Sequence, residues 1–308
     1  MNYNVINEVI ILSLVMASGV FARKKNIITE KGSKDLSNLL INITLPALLL
    51  TSFNYNYSLK MFVEAKHIFV YSFIVNIVIL FSSRFMTPGY DEDSSRVIRF
   101  AAIFSNSGFM GYPVLEGLFG KTGIFYGAIF NIPFNMILFS LGIMIYTDKR
   151  DLRAMKGVVF NPVIIATIIG FIMFLFSIKL PPVLNKAVVS IGSMTTPLSM
   201  IIVGSMLAEM KLKEIFSGSI VYYICFLRLI IAPTLSFVIL KLIGADNFML
   251  QIIVVIEAMP VAVLSPIFAQ KYGSNEKLAS KSVFITTIVS MITIPLIVIL
   301  LQYLNNLF

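Results

Sequence analysis

Residues 104–120 read FSNSGFMGYPVLEGLFG, and the architecture turns on how that stretch sits in its surroundings. It is apolar enough to lie in a membrane, yet Ser105, Asn106, Ser107, Gly108, Gly111 and Pro113 crowd into it. A helix wholly in lipid avoids such residues, because freed backbone and side-chain dipoles are costly in hydrocarbon. The stretch reads as a helix broken in mid-membrane. Residues 257–273, EAMPVAVLSPIFAQKYG, repeat the pattern: Pro113 precedes Gly120 by seven positions, and Pro266 precedes Gly273 by seven. Paired interruptions in the two halves of a chain point to the binding site of a secondary transporter.

Composition sets the class. Of 308 residues, 58% are hydrophobic and 13% charged, and the mean hydropathy is +0.91; no soluble core hides that much oily surface. The expected fold is an all-α integral membrane protein. Windows of about twenty apolar residues, each enough to cross roughly 30 Å of hydrocarbon, give ten spans, at 4–22, 36–53, 62–83, 97–119, 123–146, 158–176, 187–208, 216–242, 248–270 and 278–304. The basic residues at the start follow the apolar run, so it reads as a span and not as a cleaved leader. Seventeen Lys and Arg fall on or beside the odd-numbered loops and six on the even ones, with Arg228 in no loop. Basic residues collect on the cytoplasmic side, which puts both termini outside a multi-pass bacterial inner-membrane protein. The lipid bilayer, not nucleic acid, thus accounts for the net charge of +9. One cysteine, Cys225, and one histidine, His67, cannot make a disulfide or a metal or haem set, and HExxH, GxSxG and P-loop patterns are absent. Neither enzyme chemistry nor a cofactor is expected.

The halves look related. Thr44-Leu45-Pro46 stands 151 residues before Thr195-Thr196-Pro197, and the two interrupted stretches are offset by 153. This suggests a five-span repeat over residues 1–147, a short cytoplasmic connection at 148–157, and a second repeat over 158–308. Five is odd, so the copies are inverted, and broken spans four and nine cross near the midplane.

Each break frees amide dipoles. Half-helices starting near Pro113 and Pro266 would present N–H groups and partial positive charge, suited to a carboxylate. Asn106, Ser105, Ser107 and Ser265 add neutral donors and acceptors. Two ions lie deep in apolar sequence, where an unpaired charge costs about 2.5 to 3.5 kcal/mol. Glu257 reads as a carrier of a coupling proton, a ligand for sodium, or the partner of Arg228; Arg228 reads as a structural cation or an anion-attracting one. Glu116 is a lesser candidate.

These motifs resemble those of the auxin efflux carrier family. Asn106 to Pro113 is similar to its span-four signature, and Ala258-Met259-Pro260 through Ser265-Pro266 to Tyr272 to its span-nine signature; Leu45-Pro46, Asn161-Pro162 and Pro197 to Gly204 also fit. The resemblance implies two inverted five-span halves, a scaffold and a transport domain, an elevator-like alternation of access, and export or exchange of organic anions. It places Asn106, Pro113 and Pro266 at the substrate, and adds Gly111 and Pro260, inside the two signatures, to the site. It also suggests that spans one, two, six and seven form a scaffold that dimerises. The chain lacks the long central loop of many plant members, and it has Glu116 where they often carry a basic or neutral residue. A small carboxylate such as malate or malonate is the expected cargo, by analogy.

Overall fold

The structure is a computed structural model that describes residues 3–147, 161–208 and 218–305. The connection expected at 148–157 lies outside them. Eleven helices follow in order among the described residues: α1 (Tyr3–Lys24), α2 (Glu30–Ser52), α3 (Leu59–Ser82), α4 (Glu92–Ile103), α5 (Ser107–Thr147), α6 (Pro162–Leu175), α7 (Pro182–Leu207), α8 (Ser219–Leu242), α9 (Asn247–Glu257), α10 (Leu264–Lys271) and α11 (Glu276–Asn305). Among the described residues six helical runs are long and apolar enough to cross a membrane: α2, α3 continued to Phe85, α5, α7, α8 and α11 through Leu304. Among the described residues the only β-pairing is one bridge, Ser105 with Val261.

Proline shapes several of these helices. Wide π-turns at Leu40–Thr44, Ser107–Gly111 and Leu227–Ile231 each end two residues before a proline, Pro46, Pro113 and Pro233. A proline ring has no N–H and clashes with the carbonyl four residues back, so the preceding turn loosens. Gly120, at φ 61°, bends α5 so that its first part, residues 107–119, meets the rest at an angle. Of the half-helices expected to start near Pro113 and Pro266, the second does so, at Leu264, and the first starts earlier, at Ser107. The Asn106 carboxamide oxygen accepts the Phe109 N–H at 3.3 Å, so capping sets that start and Pro113 lies inside the helix. Outside the spans, Asp91 caps α4 by accepting the Ser94 N–H at 2.9 Å, and that bond holds its carboxyl below the usual range.

Packing sorts the helices into two bundles. In the first, α1 lies along α7, and α2 packs on α6 and α7. In the second, α3 packs on α5, α8 on α9 and α11, and α10 on α11. The first bundle is held at backbone distance by small residues. A Cβ at Gly204 would stand 1.9 Å from the Met16 carbonyl oxygen, and one at Gly19 would stand 2.2 Å from that of Ile201. Lipid gives helices no hydrophobic reason to associate, so such close approach is what holds them together. Gly204→Val should therefore separate α1 from α7 and lower the thermal midpoint in detergent by several degrees. Gly89→Ala, in open space at a surface turn, should show only the small strain of its φ of 84°.

Candidate functional site

Helices α4 and α9 both stop inside the protein, and the segments that follow them cross. The Asn106 N–H donates to the Pro260 carbonyl at 2.7 Å and the Ala262 N–H to that of Phe104 at 2.9 Å, a two-bond antiparallel pair. The Val261 N–H donates to Thr286 Oγ1 of α11 at 3.1 Å. Extended chain inside a membrane is tolerated where its amides find partners within the protein or line a cavity, and here those of Asn106, Val261 and Ala262 find partners.

Arg228, from α8, settles one side of the crossing. Its Nε donates to the Met259 carbonyl at 3.1 Å, and its Nη1 to those of Ala102 and Ile103 at 3.0 Å each. Nη2 donates to the Glu257 carbonyl and, at 2.7 Å, to Glu257 Oε2. Five acceptors thus meet the five donors of one guanidinium, whose residue, like Glu257, is wholly buried. The ends of α4 and α9 each carry about half a negative charge, which the cation offsets. Glu257 and Arg228 are therefore joined by geometry, Glu257 Oε1 being left without a hydrogen bond.

On the other side, the starts of α5 and α10 converge on a cavity of about 170 Å³. Its polar wall holds Ser105, Asn106, Ser107 and Gly108 from the first crossing segment, Asn131 and Asn135 from α5, and Asn161 at the start of α6. Ile41, Leu45, Phe134, Leu138 and Val163 supply the apolar wall. Among the described residues no charged side chain lines it. Ser107 Oγ donates to Asn131 Oδ1 at 2.6 Å, whose Nδ2 donates to the Gly127 carbonyl at 3.0 Å. The Asn106 amide nitrogen and the Ser105 hydroxyl, buried at 3% and 2% exposure, have no hydrogen-bond partner. Unpaired donors at that depth cost about 1 to 3 kcal/mol each, a cost that a ligand would remove.

The remaining sequence candidates stand off this cavity. Gly111 packs on Met259, Pro260 serves through its carbonyl, and Ser265 is buried in α10. Pro113 does not line the cavity, and Pro266 lines a larger neighbouring one of about 460 Å³ whose far rim carries Lys34, Ser37 and Asn38. The two cavities share Ile41, Phe109, Val263 and Leu264. Glu116 reaches neither; its Oε2 accepts from Thr196 Oγ1 of α7 at 2.6 Å. Asn131 and Asn135, not singled out from the sequence, carry the signal that exposed Asn106: carboxamides in an apolar span, here flanking Pro133.

The profile of a family described as membrane transport protein matches residues 4–156 and 149–298. Over 299 residues the chain is 27% identical to an uncharacterized transporter of Methanocaldococcus jannaschii, covering 94% of this chain and 96% of the relative. It is 23% identical over 305 residues to the uncharacterized transporter YfdV of Escherichia coli, with coverage of 94% and 96%. A Rhizobium meliloti protein provisionally named a malonate transporter is 28% identical over 140 residues, 45% of this chain and 43% of that one.

If Arg228 caps both helix ends, removing it should cost more than removing its carboxylate partner. Arg228→Met should destabilise by about 3 to 5 kcal/mol, the cost of breaking a buried pair. Arg228→Lys, with three donors for five acceptors, should recover only part of this, and the double variant Arg228→Met, Glu257→Met should recover little. Unfolding in detergent measures all three; full recovery in the double variant would reduce Arg228 to a simple ion-pair partner.

Proposed function

The chain belongs to the membrane transport protein family, the auxin efflux carrier family of its motifs, and from that membership we propose that it is a secondary carrier of a small organic anion. The observation that carries the reading is the buried, unpartnered Asn106 amide nitrogen, standing where two helix starts converge on one cavity. Each helix start brings about half a positive charge, and together they balance about one carboxylate. The asparagines and serines orient it without adding a fixed ion. A volume of about 170 Å³ suits a compact molecule better than drug-sized ligands, which need roughly 300 to 1,000 Å³. The relative provisionally named for malonate transport supports a small carboxylate.

In this reading the chain has ten spans in two inverted repeats of five, residues 1–147 and 158–308, with α4 continued by the first part of α5, and α9 by α10, as the crossed broken helices. Both termini are outside and the membrane is the plasma membrane. The second bundle moves against the first in elevator fashion, and the first is where a homodimer would form. The larger cavity beside Pro266, reached past Lys34, is the approach, and Phe109, Ile41 and Leu264 form the partition the anion passes.

A proton- or sodium-coupled symporter or antiporter with Glu257 at the coupling site is the second reading. The unpartnered Oε1 favours it; the Arg228 contact and the absence of Glu257 from the cavity weigh against it.

Asn106→Ser separates ligand contact from capping, since serine caps helices as well as asparagine does but has no amide nitrogen. The variant should melt like the wild type while its stabilisation by small carboxylates requires at least about tenfold more ligand, the worth of a hydrogen bond to a charged group. Undiminished binding would remove Asn106 from the site.

Glu257→Gln keeps an acceptor for Arg228, whose charge the two helix ends still offset. In proteoliposomes it should transport at close to the wild-type rate. Loss of proton- or sodium-driven accumulation with exchange intact would instead assign Glu257 to coupling.

A further inference from the structure

The bundles do not close on each other along their whole seam. Between α1 and α7 on one side and α11 on the other runs a crevice of about 290 Å³. Its walls are Met16, Ala17 and Val20 of α1, Leu207 of α7, and Ile288 and Met291 of α11. It shares no residue with the crossing cavity and meets the larger one only at Leu207 and Phe284. Along α1 it extends from Ser13 to Lys24, a rise of roughly 16 Å at about 1.5 Å per residue. That is about half of a hydrocarbon core of roughly 30 Å, the depth of one leaflet.

Its ends differ in kind. The Ser13 end is apolar and deep, against Met16 and Met291. At the other end the last turn of α1 brings Arg23 and Lys24, followed by Lys25, and Lys24 itself lines the crevice. Three basic residues thus follow one another here, and Glu30, among the described acids, is held by Lys34 at 2.7 Å.

We propose that this crevice binds an anionic phospholipid, one acyl chain lying between α1 and α11 and the phosphate resting on the Lys24 ammonium group. An acyl chain matches the slot in length and in wall chemistry. Methionine side chains adapt to a flexible chain better than branched ones. A lysine at headgroup depth supplies the electrostatic preference for a negative lipid. Because the lipid would stand between the two bundles, its binding would also depend on their relative position.

The test is native mass spectrometry of the full-length detergent-purified protein, titrated with phosphatidylglycerol, with phosphatidylcholine of the same chains, and with inorganic phosphate. Phosphatidylglycerol should bind more tightly than phosphatidylcholine, and phosphate alone should not displace it. Lys24→Gln should weaken phosphatidylglycerol about fivefold, the worth of one lysine near an anionic surface, and phosphatidylcholine, whose choline offsets its phosphate, by less. Ala17→Phe, which fills the slot from an exposed helix position, should weaken both lipids. Lys25→Gln, outside the crevice, should change neither. Equal affinity for the two lipids, an equal loss in Lys25→Gln, wild-type binding by Ala17→Phe, or displacement by free phosphate would each overturn the assignment.

Discussion

Two helices that stop inside a membrane protein with their C-terminal ends together pose an electrostatic problem, and Arg228 is its solution. The ends of α4 and α9 each gather carbonyl oxygens that no following turn can satisfy, and like partial charges bring them no mutual attraction. A guanidinium is the one side chain with enough donors, fixed in one plane, to serve carbonyls 102, 103, 257 and 259 and a carboxylate at once. With those carbonyls hydrogen-bonded to Arg228, the extended segments can meet through only two backbone bonds. The crossing is short because its polar groups are answered from α8 and α11, not because it has few of them.

The same arrangement sorts charge by side. Carbonyl ends lie toward Arg228, so amide ends lie toward the cavity, whose described lining holds no cation; in the proposed reading the helix ends alone make it attract an anion. Two half-charges act as a moderate attractor. A lysine or arginine in a site of that depth would bind a carboxylate more strongly and release it more slowly, and a carrier needs both capture and release. Neutral carboxamides suit that need: Asn131 is itself oriented by Ser107 and Gly127, so its geometry is fixed before any ligand arrives.

Much of this was legible in the sequence because the membrane makes polar residues conspicuous. Asn106, the paired proline–glycine intervals, Glu257 and Arg228 each stood out against apolar surroundings. What could not be read was where the backbone groups go. Nothing in the letters around Ala102 or Met259 says that their carbonyls meet Arg228, since every residue carries the same carbonyl. The first half-helix starts well before Pro113 because a proline marks where a helix is disturbed, while the start is set by the Asn106 cap. Glu116 is near Pro113 in sequence, but its carboxylate accepts from Thr196 of α7, a partner no local pattern announces. Asn131 and Asn135 lie outside the interrupted stretches, and only the fold brings their helix against the crossing.

How the cavity is divided between the two bundles bears on the proposed motion. Ile41, Leu45, Asn161 and Val163 come from the first bundle, whose helices meet at backbone distance through Gly19 and Gly204. Ser105, Asn106, Ser107, Asn131 and Asn135, and the helix starts themselves, come from the second. Apart from Asn161, then, the first bundle offers the cavity an apolar wall, and an apolar wall can slide past a bound anion without breaking hydrogen bonds. Separating the starts of α5 and α10 would break the Asn106–Pro260 and Ala262–Phe104 bonds and uncover the carbonyls on Arg228. The lower-energy displacement is one that moves the crossing, its arginine and its ligand together, and exchanges only the wall they face.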